Sequence, residues 1–295
     1  MGFTAITWTA TPSPGDLVIA RDVPLDNLAV LKAGPIKRGE LLPGFTFNPW
    51  LGCQRISDAC RHCYAEAWAR RAGYVQGGSK RLPIWGPPTT TQRVRTSVAN
   101  WRKPHRWNKI ARDLDVRFKV FCASLADIGE DHPDVGAWRR AVFAMIAETP
   151  HLDWLLLTKR PAVLGAEWPR EWTHEAPPHN VWVGATMENQ QCAEQRASDL
   201  LAIPARHHFA SVEPMVGHVD LEPWMGSRER ALSWVIIGGE SGGGFRELDM
   251  AAAESLAASC ARHAVATFVK QDSGFNPGMR GRFSEKMWSL KAWPQ

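Results

Sequence analysis

From Arg117 onward, short apolar runs alternate with stretches in which apolar residues recur every three or four positions. Arg117–Ser124, Trp154–Thr158, Val181–Ala185, His208–Val212, Trp234–Gly238 and Thr267–Lys270 are short and rich in β-branched, leucine and aromatic residues, as buried strands are. Trp138–Glu148, Asn189–Leu201 and Met250–His263 carry helical spacing instead. Strands apolar on both faces and separated by helices specify a parallel sheet with helical crossovers. Counting one strand ahead of Cys53, the pattern predicts an α/β fold. Its core is a partial or nearly closed parallel (β/α) barrel of about six to seven strands over residues 45–272.

The flanking regions are less regular. Residues 1–44 are rich in proline and glycine, and Leu17–Ala20 and Leu28–Leu31 are short enough for strands. This segment is either an inserted hairpin or flap, or a poorly ordered extension. Residues 74–116 form an insertion broken by Gly77-Gly78, Pro83 and Gly86-Pro87-Pro88. The tail, 273–295, is irregular and basic and is expected to lie on the surface.

Composition excludes several classes. No apolar run approaches the roughly 20 residues of a membrane span. The N-terminus lacks the succession of a secretory signal, so the expected compartment is the cytoplasm, with no membrane partner. In a reducing compartment the six cysteines are expected to serve as metal ligands or core residues rather than disulfides. Cys122 lies in an apolar strand and is expected in the core. The fifteen tryptophans against two tyrosines are expected mostly to pack.

Charge is unevenly spread. Ala67 to Arg112 contains eleven Lys or Arg and no Asp or Glu, which leaves the rest of a chain of net charge +5 acidic. Within that block, Trp101-Arg102-Lys103-Pro104-His105-Arg106-Trp107 alternates aromatic and basic side chains. Nucleic-acid binders combine backbone-neutralising cations with stacking platforms in this way. The plainer alternative, which this composition favours slightly, is a solvated cationic loop whose tryptophans pin it to the barrel.

The densest chemistry lies between Phe45 and Arg71. Cys53, Cys60 and Cys63 fall within eleven positions, and the last two are separated by two residues. Tyr64 to Ala72 is alanine-rich and stops at Gly73, the pattern of a helix with a glycine at its C-terminal end. The cysteines therefore occupy a strand-to-helix loop, where the helix N-terminus favours thiolates. Three ligands suit an iron–sulfur cluster with one iron left open. A structural zinc site needs four, and His62 could supply the fourth. Unligated buried thiols are the blander alternative.

With Asn48-Pro49-Trp50 before the cysteines and Tyr64-Ala65-Glu66 after them, this loop resembles that of the radical S-adenosylmethionine (SAM) enzymes. More closely, it resembles an uncharacterised, phage-associated branch of that superfamily. The common superfamily pattern has three residues between the first two cysteines, and here there are six. The resemblance extends from about Thr46 to Gln271 through Ser124-Leu125-Ala126-Asp127, Thr158-Lys159-Arg160-Pro161, Glu188-Asn189, Ser211-Val212-Glu213-Pro214, Gly238-Gly239-Glu240-Ser241-Gly242 and Lys270-Gln271. Ile6-Thr7-Trp8-Thr9 resembles the opening strand that relatives place just before the Asn-Pro motif.

The resemblance implies a [4Fe-4S] cluster on Cys53, Cys60 and Cys63 and SAM on its open iron. A one-electron donor such as flavodoxin or ferredoxin would reduce the cluster. Reductive cleavage of SAM would give a 5′-deoxyadenosyl radical that abstracts hydrogen from a substrate, the hard chemistry belonging to the cofactor. A phage-encoded protein would act in the host cytoplasm. Ser124 and Asp127 stand where relatives hold the methionine ammonium, and Glu188 and Asn189 where relatives bind the ribose. Tyr64, Glu213, Gly238, Gly239 and Glu240 complete the expected cofactor contacts. Lys159, Arg160, Lys270 and Gln271, with Trp101 and Arg102, are the expected substrate contacts, DNA, RNA or a nucleotide being favoured by the basic segment. Six predicted strands end in polar residues, and barrel active sites gather at such ends. The alternative function is a nucleic-acid-binding protein with structural zinc at the cysteine loop.

Overall fold

The computed structural model describes residues 44–74, 83–226 and 230–295. The expected flap or extension over 1–44, apart from its last residue, and the Gly77-Gly78 break lie outside the described residues. Seven strands form one sheet in the order β1 (Phe45–Thr46), β4 (Phe118–Cys122), β5 (Leu152–Thr158), β6 (Val181–Thr186), β7 (His207–Val212), β8 (Trp234–Gly238), β9 (Ala266–Gln271). Every neighbouring pair is parallel, so the sheet is a curled half-barrel with helical crossovers, the partial barrel that the alternation predicts. A two-stranded antiparallel pair, β2 (Trp50–Leu51) with β3 (Val94–Arg95), stands apart and was not visible in the pattern.

Period-two alternation sorts each strand's side chains onto two faces. Val120, Trp154, Leu156, Val183, Ala210, Val235 and Val269 join the main core beneath the crossover helices. These include α3 (Gly136–Glu148), α5 (Gln190–Leu201) and α6 (Met250–Arg262). Phe121, Leu155, Trp182, Phe209, Trp234 and Phe268 form a second apolar cluster on the other face. Register places these rings side by side, and Gly184 makes room: a Cβ there would lie 2.2 Å from the Phe209 ring.

Two expectations about the flanks are corrected. The segment around Trp101–Trp107 is a regular helix, α2 (Val98–Asp113), despite Pro104 within it. Ser97 caps it by accepting from Asn100 N–H. Trp107 stacks on Phe45 at 4.4 Å, and Trp101 packs edge-on against Phe47. The tryptophans do pin the segment, as helix-face residues. The tail is not merely surface-bound either. Trp293 stacks on Trp234 at 4.6 Å, and the Trp234 indole donates to Ala292 O. The tail thereby covers the aromatic face of the half-barrel.

His207 opens β7 and packs edge-on against Trp182. Burial, followed by the Arg206 cation, pulls its imidazole down to about 4. The native state thus resists protonating a group that the unfolded chain protonates near 6.5. Stability is full above about pH 6.5 and falls as pH drops toward 4, by about 3 kcal/mol at most from this residue. Urea midpoints of wild type and His207→Phe should converge as pH falls across this window; parallel curves would contradict the assignment. No helix among the described residues is long and apolar enough to cross a membrane.

Candidate functional site

The C-terminal strand ends converge on a cavity of about 180 Å³. All three clustered cysteines line it, together with residues from the ends of β4 to β9. Local structure explains how each cysteine arrives. Gly52 has φ of +109°, and a Cβ there would lie 2.2 Å from Ile84 O. Only glycine lets the chain turn so closely beneath residues 84–86. Cys53 then donates its N–H to Ile84 O, and Gly86 N–H returns to Cys53 O. Cys60 ends a 3-10 turn, Asp58–Cys60. Cys63 is the N-cap of α1 (Tyr64–Arg71), and Gly73 follows with φ of +79°, so the predicted helix and its glycine stop are both present.

All six cysteines are free, and Cys122, Cys192 and Cys260 are buried away from the loop. Burial pushes the Cys53 thiol far up, and Asp127 and Glu130 add to the effect while Arg160 opposes it. Burial also raises Cys63, against the N–H groups of α1's first turn and Lys159. Desolvated thiols of this kind ionise when a metal supplies the compensating charge. Among the described residues, no three His, Cys, Asp or Glu side chains converge on the point a single ion would occupy. A single zinc requires ligands about 2.0–2.3 Å from one centre. His62, the candidate fourth zinc ligand, lines the same cavity, and its Nδ1 lies 3.1 Å from Glu240 Oε2.

The remaining expected residues separate into three groups. Ser124, Lys159, Glu213, Lys270 and Tyr64 line the cavity with the cysteines. Tyr64 Oη donates to Ser124 O at 2.8 Å, and the Ser124 hydroxyl bonds the Asn48 side chain. Lys270 pairs with Glu213 at 2.6 Å, and Lys159 donates to Thr186 Oγ1.

A second group lines the cavity but is held by protein partners. Asp127 accepts from Thr158 Oγ1, Gly129 N–H, Lys159 N–H and Arg160, so it fixes the β5 loop and has little capacity left for an ammonium. Glu240 accepts from Arg246, whose guanidinium also reaches Asp58. Burial alone would raise the Glu240 carboxyl, but the Arg246 bonds hold it below its usual value. That network ties the β8 loop to the cysteine loop. Gln271 is buried and donates to Gly239 O. Gly239 itself is required by the neighbouring backbone at Asp272–Ser273, since a Cβ would lie 2.3 Å from Ser273 N, and its N–H is already given to Gln271 O. The Gly239 N–H is therefore not free for the cofactor contact expected of this residue. Gly238 is not among the lining residues and stays in the β-ladder against Gln271.

A third group is not brought to the cavity. Glu188 is fully buried in a 2.6 Å ion pair with Arg196. Asn189 caps α5 by accepting from Cys192 N–H. From the strand ends beside them, Thr186 and Ser211 face the cavity instead. Trp101 packs on the outer core, and Arg102 is exposed on α2. Trp85, Thr186 and Ser211 line the cavity and Arg246 braces it; of these only Ser211 was named from sequence, as part of a motif and not as a site residue. The inward alternation of β6 and β7 was the available signal for Thr186 and Ser211.

No curated protein matches the chain, and no solved structure does. Residues 43–289 match the family described as "Protein of unknown function (DUF5131)". That span covers β1 to β9, the cysteine loop and every residue lining the cavity. The chain belongs to this family.

Proposed function

We propose that this protein is a radical SAM enzyme whose [4Fe-4S] cluster is held by Cys53, Cys60 and Cys63. The observation that carries the reading is the placement of three free cysteines on one wall of the cavity at the C-terminal strand ends. When bound there, the cluster would deliver the electron that cleaves SAM reductively and yields a carbon-centred radical. The chain's own residues would do the rest. The Asn48–Ser124–Tyr64 bonds hold the first turn of α1 against the end of β4. Arg246, bridging Glu240 and Asp58, keeps the cysteine loop closed over the cavity and limits water. Lys159 and the Glu213–Lys270 pair present polar contacts to whatever occupies the space beside the cysteines. Anaerobically reconstituted protein given SAM and a reductant should release 5′-deoxyadenosine; a reconstituted protein that leaves SAM intact would contradict the assignment.

The favoured substrate class is a nucleic acid. Arg102, Lys103, Arg106, Lys109 and Arg112 are all exposed on α2, and the start of that helix touches the Asn48–Pro49 carbonyls just ahead of the cysteine loop. Such a face suits a phosphodiester backbone. Binding of a labelled oligonucleotide should weaken steeply from about 50 to about 200 mM salt. Reversing Arg102 and Lys103 to glutamate should lower the log–log salt slope by about two. Absence of binding, or an unchanged slope, would remove nucleic acid as the substrate class.

A further inference from the structure

We infer that Arg160 is a positioning residue for the cysteine-bound centre and not a substrate contact. The inference rests on the cluster reading above. Arg160 sits at the N-cap of α4 (Pro161–Ala166), immediately beyond β5, and its side chain is 11% exposed. One guanidinium nitrogen, Nη1, lies 2.7 Å from Asp127 Oδ2 and 4.0 Å from Cys53 Sγ. The other, Nη2, donates to Gln54 O at 3.0 Å. The planar fork thus grips the first cysteine twice, at its sulfur and at the carbonyl of the next residue.

The grip is rigid because its anchor is rigid. Asp127 is fixed by Thr158 Oγ1 and by the N–H groups of Gly129 and Lys159. Gly129 packs so tightly that a Cβ would lie 2.4 Å from Thr158 Oγ1 and 2.7 Å from Arg160 O. Arg160 lines the cavity, but turning its guanidinium toward a substrate there would mean abandoning a buried carboxylate. Cys60 and Cys63 come from the turn and helix that follow, whereas the Arg160 bonds reach Cys53 and the residue after it.

Two consequences follow for a bound cluster. Partners that orient ligands typically contribute 10–100-fold to metal affinity. Donors aimed at a ligand sulfur also favour the reduced, more negative state, so they raise the reduction potential. Arg160→Gln removes the cation and the fork. Arg160→Lys keeps the charge but cannot bridge the sulfur, the carbonyl and the carboxylate together.

The test uses full-length protein reconstituted anaerobically with iron and sulfide. Wild type and both variants are compared for iron loss to a chelator and for midpoint potential by EPR-monitored titration, with urea midpoints as a control for folding. Arg160→Gln should lose iron about 10–100-fold faster and titrate at a more negative potential. Arg160→Lys should fall between it and wild type. Wild-type retention and potential in both variants would overturn the role of Arg160 while leaving the cluster in place. A wild-type protein that takes up no iron would instead remove the cluster reading, and this role with it.

Discussion

Serine at Cys53, Cys60 or Cys63 is expected to abolish SAM cleavage and to reduce cluster iron in the reconstituted protein to a small fraction of wild type. On the proposed reading each thiol would supply one of three protein ligands to the cluster. His62, the nearest nitrogen donor in sequence, lines the cavity with its Nδ1 against Glu240. Serine keeps the volume and the hydrogen-bonding capacity of the site, so the fold should survive; Cys63 is the N-cap of α1, where serine is itself a favoured residue. Urea midpoints should therefore change little while iron and activity are lost together. Serine at Cys122, buried in β4 and remote in role, provides the contrast: it should lower stability and leave iron uptake intact. Full iron retention in all three loop variants would refute the ligand set.

Arg93→Met should destabilise the protein by about 3–5 kcal/mol, the usual consequence of removing one partner of a fully buried ion pair. Arg93 and Glu130 side chains are 0% and 1% exposed and meet through two bonds, at 2.8 and 2.7 Å. The same guanidinium donates to Ile84 O and Gly86 O, whose residues clamp Cys53. Loss of Arg93 leaves the Glu130 charge unpaired and takes one of two donors from each of the Ile84 and Gly86 carbonyls, which keep Cys53 N–H and Thr91 Oγ1. The effect should reach function as well as stability, because the 84–86 segment sets the height of Cys53. A double variant, Arg93→Met with Glu130→Leu, should recover part of the lost stability by removing the orphaned charge. A change in urea midpoint equivalent to less than about 1 kcal/mol for Arg93→Met would show the pair to be unimportant.

The strands were legible because a parallel sheet covered on both faces writes itself as uninterrupted apolar runs. Six of the seven strands of the main sheet lie within a residue or two of their predicted limits. Helix α2 was hidden because Pro104 and the alternation of tryptophan with cations mask its period. Its buried face, Trp107 and Ala111 with Pro104, is nonetheless spaced as one side of a helix. The cavity-lining cysteines, Ser124, Lys159, Glu213 and Lys270 were legible as polar residues at strand ends. Glu188 and Asn189 misled because position beyond a strand does not specify direction: one turns beneath the loop to Arg196 and the other caps a helix. Gly239 misled because a glycine demanded by a neighbouring backbone looks, in sequence, like one demanded by a ligand. Arg246 carries no local pattern at all, since its partners lie 6 and 188 positions away.

The most direct test of the central claim is the EPR spectrum of the reduced, anaerobically reconstituted protein, recorded with and without SAM. The account predicts a cubane cluster signal whose shape changes when SAM is added, because SAM binds the iron that no cysteine holds. A colourless protein carrying one zinc and indifferent to SAM would contradict it.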